Sequence, residues 1–215
     1  FRKRLCNKGT YTPEELETKN INNRIFNDKT IVFTIRDQKG KVCGFAARDT
    51  SWTKGCKNPK FVNTSSSVPI YHKDQLLYGM NIAFNYPEKR LDIFEGYGDL
   101  ATAQQAGHKA SVALGGVALT DKHIEQIIAA GFNHLNVVLD GDTTGIDKMR
   151  LYLDRYCTGF DSLKVTVTIL PFPDEQPEDK RDPDDYIKEY GLENYFKVPT
   201  MTSFDWRLKD FKQQN

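Results

Sequence analysis

Long apolar runs are missing from this 215-residue chain, and nothing in it approaches the ~18 consecutive apolar residues of a membrane-spanning helix. The opening FRKRLCNKG has no apolar middle, so it does not read as a secretory signal, and a cytoplasmic protein with no membrane partner is expected. Cysteine is sparse and unpatterned: the four, at positions 6, 43, 56 and 157, form no CxxC pair and have no histidine at ligand spacing. That argues against a zinc ribbon and a disulfide framework, so reduced thiols and no zinc are expected. Internal repeats and low-complexity tracts are also lacking. The chain begins with Phe rather than Met, and a piece of a longer protein with flanking domains is expected. With 39% hydrophobic residues, one large or two small folded domains remain.

Charge is plentiful and unevenly placed. Residues 1–89 hold 16 Lys and Arg against 8 Asp and Glu, whereas residues 90–191 hold 10 against 18, so a balance of +8 faces one of −8. Residues 192–215 add +1 and restore the net +1 of the whole. A basic part joined to an acidic part suits a protein that holds a polyanion with one and cations with the other; solvated charged faces give the same split.

Periodicity divides the chain in the same place. IVFTIRDQKGKVCGFAAR (31–48) reads as two strands around the turn DQKG, and a polar, Gly- and Pro-punctuated loop follows, in which FVN is a short strand. That loop carries Lys54, Lys57 and Lys60 towards the hairpin's Arg48. HKDQLLYGMNIAF (72–84) spaces Leu76, Leu77, Met80 and Phe84 as an amphipathic helix. Beyond it, LDIF (91–94), SVAL (111–114), NVVL (136–139) and VTVTIL (165–170) are short apolar runs, separated by helical patterns near 98–106, 121–131 and 144–156. Such alternation predicts βαβ units and a parallel sheet with helices on both faces. PFPDEQPEDKRDPDD (171–185), with four prolines, reads as an extended acidic loop, and the tail is expected to be helical after Ser203. The implied domains are 1–89, 90–191 and a helical segment from 192 to 215.

Placed on that strand map, the carboxylates gather. Glu95 follows LDIF, Asp140 and Asp142 follow NVVL, and Asp182 and Asp184 lie in the loop after VTVTIL. In an open parallel sheet, ligands bind at these carboxyl ends. The aspartates of DGD and of DPD are two apart, so extended backbone would point each pair one way. Asp99 stands one helical turn after Glu95, where it also complements a helix dipole; Asp142 singly also reads as an N-cap. No Lys or Arg flanks EGYGD to neutralise it. Like charges brought together call for a cation, and oxygen-only ligands suit Mg²⁺ or Mn²⁺, two or more ions being consistent with phosphoryl transfer.

In their order and spacing EGYGD (95–99), DGDTTG (140–145) and RDPDDYI (181–187) resemble the TOPRIM catalytic fold. The hairpin, NPKFVNTSSSVPIYHKDQLLYGM and SVALGGVALT resemble more narrowly the RNA-polymerase core of DnaG-type primases, bacterial or bacteriophage. The resemblance runs from about Ile31 to Gly191. It implies a TOPRIM parallel sheet flanked by helices, preceded by a smaller basic α+β subdomain and followed by a short helical tail. It also implies synthesis of short RNA primers from ribonucleoside triphosphates on single-stranded DNA. Glu95, Asp140 and Asp142 would be catalytic and metal-binding, with Asp99, Asp182 and Asp184 as further metal carboxylates. Arg36, Arg48, Lys60 and Lys73 would hold template and nucleotide. A replicative helicase would dock through regions outside this chain, in a bacterial cytoplasm or in that of a phage's host. Gly98 departs from the bulkier residue usual at its place, and the segment from Leu170 to Asp182 is longer than usual. Two rivals stand beside this reading: a TOPRIM nuclease or topoisomerase-like enzyme, and a non-catalytic nucleic-acid-binding module.

Overall fold

The computed structural model describes residues 29–53, 55–56, 59–86, 89–116, 118–138, 143–156, 163–168, 170 and 182–214, without the side chains of 143, 144, 213 and 214. They divide into two compact units. One contains the described residues up to Ile35 together with Cys43–Tyr71, and the other contains Arg36–Val42 and His72 onward.

The first unit is built on a three-stranded sheet in the order β1 (Thr30–Arg36), β2 (Val42–Asp49), β3 (Phe61–Asn63). The expected hairpin and the expected short FVN strand are both present. At the hairpin turn the Asp37 carboxylate accepts the Lys41 N–H at 2.8 Å, and Gly40 takes φ +79°, a conformation that costs glycine little. β2 and β3 are antiparallel, with Ala47 opposite Val62. Ile35, Ala46, Ala47 and Tyr71 are buried. Gly44 lets the Tyr71 ring lie on β2, where an added Cβ would come within 2.5 Å of it.

The second unit holds a five-stranded sheet in the order β5-β4-β6-β7-β8. Its strands are β4 (Arg90–Phe94), β5 (Ser111–Ala113), β6 (His134–Val138), β7 (Lys164–Thr168) and β8 (Thr200–Thr202). The first four are mutually parallel, as the βαβ rhythm predicts. β8 adds an antiparallel edge from the tail, which the sequence pattern did not reveal. Among the described residues the α-helices are α1 (Met80–Ala83), α2 (Tyr97–Gln105), α3 (Asp121–Ala129), α4 (Thr143–Tyr156), α5 (Pro183–Tyr190), α6 (Leu192–Lys197) and α7 (Ser203–Gln214). Leu91, Ile93, Leu135, Val137, Val165 and Val167 turn to one face and pack with Met80, Ile124, Ile127, Met149, Leu153 and Trp206. Phe94 and Val138 turn to the other, with Leu100, Tyr186, Ile187 and Tyr195. Burial on both faces is what near-continuous apolar strands require. The tail is helical from Ser203, and Trp206 carries it into the first of these clusters.

Residues 72–84 do not form the expected continuous helix. Lys73–Gln75 is a single 3₁₀ turn, and the chain then extends so that Tyr78 and Ala113 exchange backbone hydrogen bonds of 3.0 and 2.9 Å. Gly79, at φ +90°, resets the direction and only Met80–Ala83 is α-helical. Of the four residues spaced as one apolar face only Leu77 and Met80 are buried, Leu76 is partly buried and Phe84 is 50% exposed, because backbone pairing with β5 overrides the helical pattern.

Candidate functional site

The strand order places a topological switch between β4 and β6, where connections leave the sheet in opposite directions; ligands gather at the carboxyl ends of strands at such points. Phe94 and Val138, the last residues of these two strands, are register partners. Glu95 follows Phe94 at once, half-buried. Asp140 and Asp142, the paired aspartates expected beyond β6, lie outside the described residues.

The turn after Glu95 is shaped by Asp99. At the third position of α2, its Oδ2 accepts the Gly96 N–H at 3.0 Å, satisfying one of the amides that a helix start leaves unpaired. Gly96 makes this approach possible, because a Cβ there would lie 2.6 Å from Oδ2. The other oxygen, Oδ1, accepts the backbone N–H of Asp184 at 3.2 Å from a helix 85 residues away. Asp99 is 7% exposed, so it caps its own helix and also ties down the start of α5.

At that start, Asp182 is the N-cap of α5, accepting the Asp185 N–H at 3.0 Å, and Pro183 occupies the first helical position. The sequence expectation of an extended DPD is therefore corrected: Asp182 is extended, but Asp184 is already helical. Proline pre-set for a helix start and aspartate suited to capping it explain the difference. The carboxylates converge nonetheless. Oxygens of Asp182, Asp184 and Asp185 all lie within 4.8 Å of one another, the one such acidic group among the described residues, and it includes neither Glu95 nor Asp99. The Asp184 carboxylate also accepts from the Thr102 hydroxyl and, at 2.6 Å, from Lys188 Nζ; this contact raises the pKa of Lys188.

Sequence reading missed several functional neighbours. Glu95 is not left without a cation: Lys148, on α4, donates to its Oε1. The two are 53 residues apart, so no local pattern announced the pair. Asp185 went unnoticed beside Asp184, although RDPDDYI displays it. Asp92, in the middle of the apolar-looking LDIF, is fully buried. It accepts from Arg90 Nε at 2.7 Å, from Arg90 Nη2 at 3.1 Å and from the Tyr195 hydroxyl at 2.7 Å. His108 Nε2 stands 3.2 Å away, within ion-pair range but too poorly aligned to count as a hydrogen bond. Burial alone would push the Asp92 carboxyl up, but His108 and Arg90 together hold it at about 2. His108 thus stands beside the buried Asp92, whose bond from Tyr195 fixes α6 to β4.

The basic candidates are dispersed among local tasks. Arg36 donates to the Gly40 carbonyl at 2.8 Å in its own hairpin turn. Arg48 lies 5.8 Å from the centroid of the Phe61 ring and Lys60 lies 5.9 Å from that of Trp52, both in cation–π range. Lys73 sits on the 3₁₀ turn, where burial lowers its pKa. Lys54 and Lys57 lie outside the described residues.

Comparison with known proteins places these features. Residues 3–84 match the family described as DNA primase catalytic core, N-terminal domain, and residues 93–187 match the Toprim-like family. The DNA primase of Halalkalibacterium halodurans is 32% identical over 85% of this chain, and that of Escherichia coli K12 is 32% identical over 77%. The chain spans only 29% and 27% of the lengths of those two relatives. Among solved structures, the E. coli primase catalytic core superposes with a TM-score of 0.75 at 26% identity, covering 98% of this chain and 68% of that one. A DnaG primase catalytic domain bound to single-stranded DNA gives the same score and identity, covering 98% of this chain and 66% of that one. The chain therefore belongs to the DnaG-type DNA primase family, and carries the N-terminal domain of the catalytic core followed by a Toprim-like domain.

Proposed function

We propose that this chain is the nucleotidyl-transfer core of a DNA primase, joining ribonucleotides into short primers on a single-stranded DNA template. The observation that carries the reading is the pairing, in one chain, of a primase-specific N-terminal domain with carboxylates on the carboxyl side of a Toprim-like sheet. The donor set fits a hard divalent cation: Glu95, Asp182, Asp184 and Asp185 offer oxygen only, and the described surroundings bring in no thiolate or imidazole. Glu95, Asp140 and Asp142, with Asp99, Asp182 and Asp184 in support, would hold Mg²⁺ or Mn²⁺. Bound there, such ions supply Lewis-acid stabilisation to a triphosphate undergoing in-line displacement.

The chain's own residues do the rest. Asp99 keeps the acidic start of α5 against the turn that follows Glu95, through its bonds to Gly96 and Asp184. Arg36, Arg48, Lys60 and Lys73 bind phosphates of template and nucleotide as point charges, which makes binding salt-dependent and insensitive to base sequence. The relative solved with single-stranded DNA supports that template. A replicative helicase is proposed to dock through parts of the full protein outside this chain.

Incubation with single-stranded DNA, labelled ribonucleoside triphosphates and Mn²⁺ tests the proposal. Short RNA products, abolished by Asp140→Asn with Asp142→Asn, are expected. Strand cleavage without triphosphates would favour the nuclease reading, and products undiminished in the double variant would overturn the metal assignment. Lys60→Ala with Lys73→Ala should weaken template binding and flatten its dependence on salt.

A further inference from the structure

Lys148 is the cation that the sequence hid from Glu95. Its ammonium donates to Glu95 Oε1, with the two side chains 30% and 24% exposed. The pair is not what places the helix. α4 is seated by Met149, Tyr152, Leu153 and Tyr156, all buried in the core on one side of the sheet. Arg150, two residues on, does not compete for Glu95, because it is held by Asp210 at 2.8 and 2.7 Å and by Asp147 at 2.6 Å. Lys148 therefore combines a fixed Cα with a flexible four-carbon stem whose head can leave Glu95 while the helix stays in place.

A carboxylate cannot give its full charge to an ammonium and to a divalent ion at once, and the two cations repel each other if they share it. We propose that Lys148 is a built-in competitor of the divalent cation, occupying the Glu95 carboxylate in the metal-free chain and setting the concentration at which the metal enters. This rests on the assignment of Glu95 as a metal ligand. It explains how a carboxylate at the switch point avoids an unpaired charge before metal arrives. Because the linkage is reciprocal, metal binding weakens the hold of Glu95 on Lys148 by the same factor.

Mn²⁺ binding, read from the loss of the free-ion electron paramagnetic resonance signal, tests this without any turnover. The wild-type chain, K148M and E95Q are titrated, and their thermal melts are recorded with and without Mn²⁺. K148M is expected to bind Mn²⁺ about two- to fivefold more tightly, the range expected when a part-exposed ion pair no longer competes. Without metal it should melt below wild type, and on adding Mn²⁺ it should gain more in melting temperature. K148Q provides a second variant should K148M fail to fold. If E95Q weakens Mn²⁺ binding but the lysine variants bind as wild type or more weakly, the exchange is overturned and Glu95 stands as a ligand. If E95Q binds Mn²⁺ like wild type, the ligand assignment falls, and the inference falls with it.

Discussion

On one face of the five-stranded sheet Leu91, Ile93, Leu135, Val137, Val165 and Val167 pack with apolar helix residues, whereas the alternate residues of the same strands combine Phe94 and Val138 with a buried polar row on the other. Ser111, Asp92, Asn136 and Thr166 are register partners across β5, β4, β6 and β7, and all four are buried. The row is satisfied internally. Asn136 donates to the Thr168 hydroxyl at 2.9 Å and accepts from Thr166 at 3.0 Å, while Asp92 takes the Tyr195 hydroxyl. The difference teaches how a stable sheet carries an acidic site. Apolar burial is non-directional and supplies stability; hydrogen bonds are directional, and the one from Tyr195 to Asp92 fixes where α6 sits. α5, with its acidic start, lies on this second face, packed through Tyr186 and Ile187 and tied to Asp99 of α2.

The sharpest way to break this contrast is to cut each face in turn. Ile93→Ala, on the apolar face, should cost about 4 kcal/mol through lost burial and a residual cavity, leaving Mn²⁺ affinity intact in the folded fraction. Chemical denaturation and metal titration of one preparation check both halves of that expectation. Asp92→Asn should cost about 3 kcal/mol, because it leaves Arg90 and His108 without their carboxylate, although Arg90 is 33% exposed and partly rehydrates. This change should also lower Mn²⁺ affinity, since the single amide oxygen left cannot accept from Arg90 on both sides and from Tyr195, and the hold of α6 on β4 is weakened.

Acid should separate the faces by pH. His123, at the start of α3 and fully buried, has its pKa pushed from 6.5 down to about 4, chiefly by burial. A depressed pKa means that the unfolded chain takes the proton first, so stability is full above about 6.5 and declines as pH falls towards 4. Asp92, held at about 2 against an ordinary 3.8, adds its own loss only at lower pH, as the value falls from about 3.8 through 2. Melting temperature against pH should therefore show the first limb removed in His123→Asn and the second in Asp92→Asn. A single limb insensitive to both changes would contradict this assignment. The smallest effect is expected from Asp99→Ala, about 1–2 kcal/mol for the lost cap and the lost bond to Asp184. Its Mn²⁺ affinity should fall by more than that stability change implies, whereas Asp99→Asn, which keeps an acceptor, should lose less of each.

Much of the framework was legible in advance, because period-2 and period-3.6 patterns are local. β4 to β7 each begin within two residues of their expected starts, and α2, α3 and α4 within one. Failures occurred where distant backbone competed with local pattern. The helix expected over 72–84 yielded to pairing between Tyr78 and Ala113, and Gly79 completed the break. Extended DPD yielded to Pro183 and the Asp182 cap, a signal that was present in the sequence but read as a loop. The antiparallel edge β8 is three residues long, too short for periodicity to reveal.

The sequence by itself determined the order of strands and helices and the delivery of Glu95 to a strand end, since both depend on residues adjacent along the chain. Only the tertiary structure decided what those carboxylates do. It gave Glu95 a lysine 53 residues away and turned Asp99 into a clamp on a helix 85 residues away. It also drew Asp182, Asp184 and Asp185 within 4.8 Å of one another. The physical reason is that propensity and amphipathicity act between neighbours in sequence. Electrostatic neutralisation and hydrogen-bond satisfaction act between neighbours in space, and these exist only once the sheet has brought its ends together.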